Sequence, residues 1–149
     1  MSDNIRKIIT DAITRMLARR EHAQSEIIRK LTEKGFELSD FLSILEEFVE
    51  AGIQSDSRYA DMRLRACVSK GQGFLRIKRD LMLTKVSESD IEQAFRDNDI
   101  DWFELALQVK VKRFGDAVER DLNLKHKQIR FLQYRGFDHE QIQYALNPH

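Results

Sequence analysis

Apolar residues recur along this chain with one spacing used three times. Leu31, Phe36, Phe41 and Leu45 form the first set, Leu81, Val86, Ile91 and Phe95 the second, and Leu132, Phe137, Ile142 and Leu146 the third. The steps are five, five and four residues each time, and the first members lie 50 and 51 residues apart, so a single helical unit is repeated. A step of five across a turn, then five and four along an amphipathic run, predicts two short helices sharing one buried seam. In the first and third units the turn carries Gly35-Phe36 and Gly136-Phe137. Glycine there can close a helix in the left-handed conformation while the aromatic folds back onto the last apolar turn. The second unit has Lys85 in the glycine position. A side chain held left-handed costs on the order of 1 kcal/mol, so this turn is expected to be strained or differently shaped.

The rest of the pattern supplies the other helices. Ile5, Ile8, Ile9, Ala12, Ile13, Met16 and Leu17 fall on one side of a long opening helix over residues 4–19. Ser25 lies near the next helix start, Ser39-Asp40 offers a third, and Gly52-Ile53 ends the helix that follows. Ser55-Asp56-Ser57 opens the second unit, which runs through Tyr59, Leu64 and Cys67 to Gly71-Gln72-Gly73 and resumes at Phe74. Ser87 with Asp90 resembles a capping box. Asp99 to Trp102 opens the third unit, Phe114-Gly115 stops its first helix, and a last helix runs through Ile142 and Leu146. The expected fold is all-α: about nine helices in three tandem three-helix repeats, near 4–50, 55–98 and 101–147, in one domain over residues 1–149.

Composition agrees with an ordered helical chain: 149 residues, 42% apolar, 34% charged and a single proline. No stretch approaches the roughly 18 apolar residues of a membrane span and no apolar leader opens the chain, so a cytoplasmic protein without membrane contact is expected. Cys67 is the sole cysteine; an internal disulfide is impossible, and the thiol reads as a small buried side chain. Nothing demands a cofactor.

A net charge of zero conceals segregation. Residues 62–85 hold seven bases and one acid, residues 86–107 seven acids and one base, and residues 108–135 eight bases and three acids. Two basic blocks therefore flank an acidic one. Either acidic helices pair with basic neighbours inside the array, or the basic blocks form a binding surface.

Catalytic constellations are missing. His22, His126, His139 and His149 stand in no triad-like arrangement and no two lie at metal-ligand spacing, so neither nucleophilic catalysis nor a metal site is expected. Gly71-Gln72-Gly73 lacks the lysine and hydroxyl residue of a nucleotide loop. What remains is basic: Arg63, Arg65, Lys70, Arg76, Lys78, Arg79 and Lys85 in one cluster; Lys110, Lys112, Arg113, Lys125, Lys127 and Arg130 in another, with Arg120, Arg135 and the aromatics Phe131 and Tyr134 interleaved. Such groups suit DNA phosphates or an acidic protein face equally. Arg76 could meet a partner or pair with Asp80. Tyr59 and Phe131 read as core.

Four runs carry a family resemblance: Leu17 to His22 with the Glu26 to Leu31 helix, Asp56 to Ala60, Gly71 to Leu81 with its Gly-x-Gly-x-x-Arg-Ile core, and Arg130-Phe131-Leu132-x-x-Arg135-Gly136-Phe137. Together they resemble the RecX family of recombination regulators. The resemblance implies a curved, elongated, monomeric array of three-helix repeats that binds RecA filaments on single-stranded DNA. It implies damped RecA ATP hydrolysis, filament extension and strand exchange, a place in DNA repair, homologous recombination and the SOS response, and no enzymatic activity. The chain departs from the family pattern at residues 51–56 and at Lys85-Val86. A helix-turn-helix DNA-binding protein and a helical protein-interaction scaffold are the competing readings.

Overall fold

The computed structural model describes residues 2–148; His149 lies outside the described residues. Among them are helices α1 (Asp3–Arg19), α2 (Gln24–Glu33), α3 (Leu38–Glu50), α4 (Asp56–Ser69), α5 (Phe74–Leu83), α6 (Glu88–Asp97), α7 (Trp102–Phe114), α8 (Leu122–Arg135) and α9 (His139–Leu146), and no strand. Extensive helix packing stays within the triples α1–α3, α4–α6 and α7–α9, where the first and third helix of each triple pack most closely.

Each triple buries its own core. Ile9, Ile13, Ile27, Leu31, Phe41 and Leu45 fill the first. Tyr59, Leu64, Cys67, Ile77, Leu81 and Ile91 fill the second, so Tyr59 and the lone thiol are core groups. Ala106, Leu132, Phe137, Ile142 and Leu146 fill the third. The seam positions spaced five, five and four apart are thus interior, with Phe36 and Phe95 half-buried against the same cores.

The three interhelical turns share one geometry. Phe36, Val86 and Phe137 each donate their amide to the carbonyl five residues earlier, on Leu31, Leu81 and Leu132, at 3.1, 3.3 and 3.2 Å. Gly35 (φ +98°), Lys85 (φ 60°) and Gly136 (φ +100°) occupy the left-handed position. Lys85 therefore adopts the glycine conformation, and the turn is strained and not reshaped. Capping departs from expectation at the start of α3. Helix α3 starts at Leu38, with the Asp40 carboxylate accepting the Glu37 amide at 3.1 Å, because an acid at the third helical position reaches back to the cap. Ser25 sits inside α2 and donates its hydroxyl to the Thr84 carbonyl of the next repeat.

That last bond reveals how repeats join. The N-terminal end of α2 meets the C-terminal end of α5 through Ser25 and Thr84, and the N-terminal end of α5 meets the C-terminal end of α8. There Gly73 donates to the Arg135 carbonyl at 2.7 Å and Leu75 to the Gly136 carbonyl at 3.1 Å. Orphan amides at one helix start thus satisfy orphan carbonyls at another helix end, a head-to-tail alignment favourable for both dipoles. Around the first junction, Gln54 donates to the His22 carbonyl, the Gln24 amide to Asp56, and Arg58 to Glu21. Around the second, Phe74, Phe95 and Trp102 form an aromatic cluster with centroids 4.6 to 5.9 Å apart.

Candidate functional site

The second junction creates a groove of about 620 Å³ between the end of α4, the face of α7 and the last turns of α8. Its walls present Lys70, Lys112, Arg113 and Arg135 around Phe131, Val109 and Gly71, and no carboxylate lines it. Among the described residues none of these four cations is engaged in a salt bridge, so their charges add.

Three local causes put them there. Lys70 caps α4, where its charge complements the helix C-terminus. Lys112 and Arg113 occupy the last turn of α7. Phe131 and Arg135 lie four residues apart on α8 and so share a face. The guanidinium carbons of Arg113 and Arg135 both stand 4.9 Å from the centroid of the Phe131 ring. Arg135 also donates to the Lys70 carbonyl at 2.6 Å, which ties α8 to α4. A guanidinium held on an aromatic ring keeps free N–H edges for a planar anion or an exposed flat face for stacking. The groove can therefore take phosphates, carboxylates or an unstacked base.

The remaining basic residues scatter. Arg65 is exposed and paired with Asp61, on the side of α4 that faces α6. Half-buried Arg63 lines a separate hollow with Tyr59 and Asp80. Arg79 stands 4.0 Å from Asp80, Lys78 is 5.9 Å from the Phe74 ring, and Lys85 is exposed at its turn. Lys127 and Arg130 are exposed on α8, and half-buried Lys125 lines a hollow with Glu119 beneath the end of α9.

Two basic residues serve the fold. Lys110, placed by sequence on the basic face, is 1% exposed and donates to the carbonyls of Gly115 and Ala117 at 2.8 and 2.9 Å. Its ammonium ties down the loop after α7. Arg76 does not turn to Asp80; its guanidinium lies 5.0 Å from the Tyr134 ring and reaches the Tyr134 carbonyl at 3.5 Å across the junction.

Phe131 is more than the core residue it resembles in sequence: it packs on the third core and orients two arginines. Arg135, marked in sequence by the basic cluster and by the run from Arg130 to Phe137, belongs in the groove. The four-residue spacing of Phe131 and Arg135 was the available signal; the proximity of Arg113 needed the fold.

Comparison with known proteins finds related sequences and the same fold. A model of the second three-helix domain of RecX matches residues 55–94, and one of the third three-helix domain matches residues 99–146. The regulatory protein RecX of Vibrio vulnificus is 44% identical over 137 residues, covering 92% of this chain and 90% of that protein. That of Acinetobacter baylyi is 41% identical over 132 residues, covering 89% and 82%. The crystal structure of RecX from Lactobacillus salivarius shares the fold with a TM-score of 0.78 at 17% identity, over 99% of this chain and 97% of that one. Another regulatory protein RecX gives a TM-score of 0.79 at 21% identity, over 95% of this chain and 72% of that one.

Proposed function

The chain belongs to the RecX family of regulatory proteins, and from that premise we propose that it regulates RecA by binding the filament that RecA forms on single-stranded DNA. In this reading it damps ATP hydrolysis, filament extension and strand exchange, acting in the cytoplasm as a monomer and by binding alone. No helix among the described residues is long and apolar enough to cross a membrane.

One observation supports the reading above the others: the carboxylate-free groove of Lys70, Lys112, Arg113 and Arg135 lies where the family's own motifs meet. Gly71 and Gly73 come from one motif, Arg135 and Gly136 from the other, and they touch. The residues that carry the resemblance therefore set the spacing and angle between repeats, and the groove inherits its shape from them. Four uncompensated cations favour a polyanionic or acidic filament surface and make binding salt-dependent.

Retention on RecA filaments assembled on oligothymidylate with a non-hydrolysable nucleotide tests the proposal. Binding that weakens in Lys112→Gln/Arg113→Gln protein is expected. Equal retention of the wild type by bare beads and by filaments would refute it.

A further inference from the structure

A second basic concavity lies in the first repeat, between the C-terminal halves of α1 and α2. Arg15 and Arg19 project from α1, Lys30 from α2 and Lys34 from the C-cap of α2, and His22 closes one end. None of these four permanent cations is engaged in a salt bridge among the described residues; the neighbouring Arg20 is, through Glu26. His22 is 3% exposed, and its Nε2 lies 3.0 Å from the Lys30 ammonium. Its Nδ1 faces the Arg20 carbonyl at 3.1 Å, so Nδ1 carries the proton and Nε2 accepts from Lys30. That contact fixes the ammonium at the groove wall with further N–H donors to spare.

We propose that this groove binds the phosphodiester backbone of a nucleic-acid strand, as a site distinct from the groove between the second and third repeats. The inference stands whether or not RecA is the partner.

Donor chemistry selects the occupant. All the polar side chains in the lining are cations apart from His22, whose one acceptor nitrogen is taken by Lys30; the others are alanines and Met16. The lining side chains therefore offer donors and no free acceptor. An acidic peptide would bring one N–H per residue and find no side-chain partner for it here. A phosphodiester backbone presents acceptors alone. Geometry agrees: Arg15 and Arg19, and likewise Lys30 and Lys34, are four residues apart, just over one helical turn or about 6 Å along the axis. Each wall thus carries two cations in line, a ladder suited to successive phosphates and indifferent to base sequence.

Fluorescence anisotropy of labelled oligothymidylate, without RecA, tests this. Arg15 and Lys34 are exposed, so Arg15→Gln/Lys34→Gln leaves the core untouched. The expected result is affinity weakened about tenfold or more, with a log-log salt slope shallower by about 1.4 for two lost phosphate contacts on a single strand. Lys112→Gln/Arg113→Gln should not reproduce that loss in full. Unchanged affinity and slope would overturn the proposal, as would inorganic tripolyphosphate competing as strongly as the oligonucleotide, which would assign the groove to small polyphosphates. Amide shifts on adding oligonucleotide to the wild-type protein give a check independent of variants: shifts at residues 12–34 support the site, and shifts confined to the surroundings of Lys112 and Arg113 overturn it. Because RecA is absent from these measurements, their failure leaves the filament reading standing.

Discussion

Gly73 of the second repeat and Gly136 of the third meet backbone to backbone. A methyl group on Gly73 would lie 2.6 Å from both the carbonyl carbon and the carbonyl oxygen of Gly136. No flexible side chain can yield there, so the two repeats would have to separate. Gly73→Ala is expected to destabilise the protein by roughly 1–3 kcal/mol through overpacking. Gly136→Ala adds left-handed strain to a clash with the Arg76 backbone and Cβ, whereas Gly35, with nothing near its missing side chain, should cost about 1 kcal/mol as alanine. Urea denaturation of the three variants ranks them; equal losses at Gly35 and Gly136 would show that the junction tolerates the methyl.

Lys85 pays the conformational penalty that glycine escapes in the other two turns, and the hydrogen bonds of its turn match theirs. Lys85→Gly is therefore expected to raise stability by roughly 0.5–1 kcal/mol, less whatever glycine adds to unfolded-chain entropy. Thermal denaturation checks it. A lower midpoint in the variant would mean that the lysine side chain contributes more than its backbone costs.

His22 gives the first junction a pH dependence. Burial holds its imidazole below the ordinary histidine value; the Arg20 carbonyl opposes this, while the nearby Arg20 and Lys30 charges reinforce it. The folded state thus binds a proton less readily than the unfolded state. Stability from this group is complete above the unfolded value near 6.5 and is lost as pH falls from there through the lower folded value. Glu26 and Asp61 are held below ordinary carboxylate values, Glu26 despite its burial and Asp61 chiefly by Asn98, so their contributions fade only at more acid pH. Between about pH 7.5 and 5.5 the urea midpoint of the wild type should fall more than that of His22→Gln. Parallel curves would contradict this assignment.

Much of the array was legible in advance because its signals are local. A spacing of five, five and four residues encodes a helix, a left-handed turn and a second helix, and all three units fold that way, including the one that lacks glycine. The site was less legible because it depends on which helices meet. Arg63 and Arg65 are two residues apart yet line different hollows, since a helix turns through about 200° over that step. Lys110 looks like its neighbours Lys112 and Arg113 in sequence, but its side chain is buried beneath the loop it anchors. Charge-counting along the chain cannot distinguish them. Arg76 turns to Tyr134, which lies in the following repeat and so beyond any spacing rule.

The most direct test of the regulator reading is ATP hydrolysis by the cognate RecA on single-stranded DNA while this protein is titrated in, beside a Lys112→Glu/Arg113→Glu variant that spares buried Lys110. Loss of hydrolysis at substoichiometric amounts of the wild type is expected, with most of that effect gone in the variant. Undiminished hydrolysis under a large excess of folded wild-type protein would contradict it.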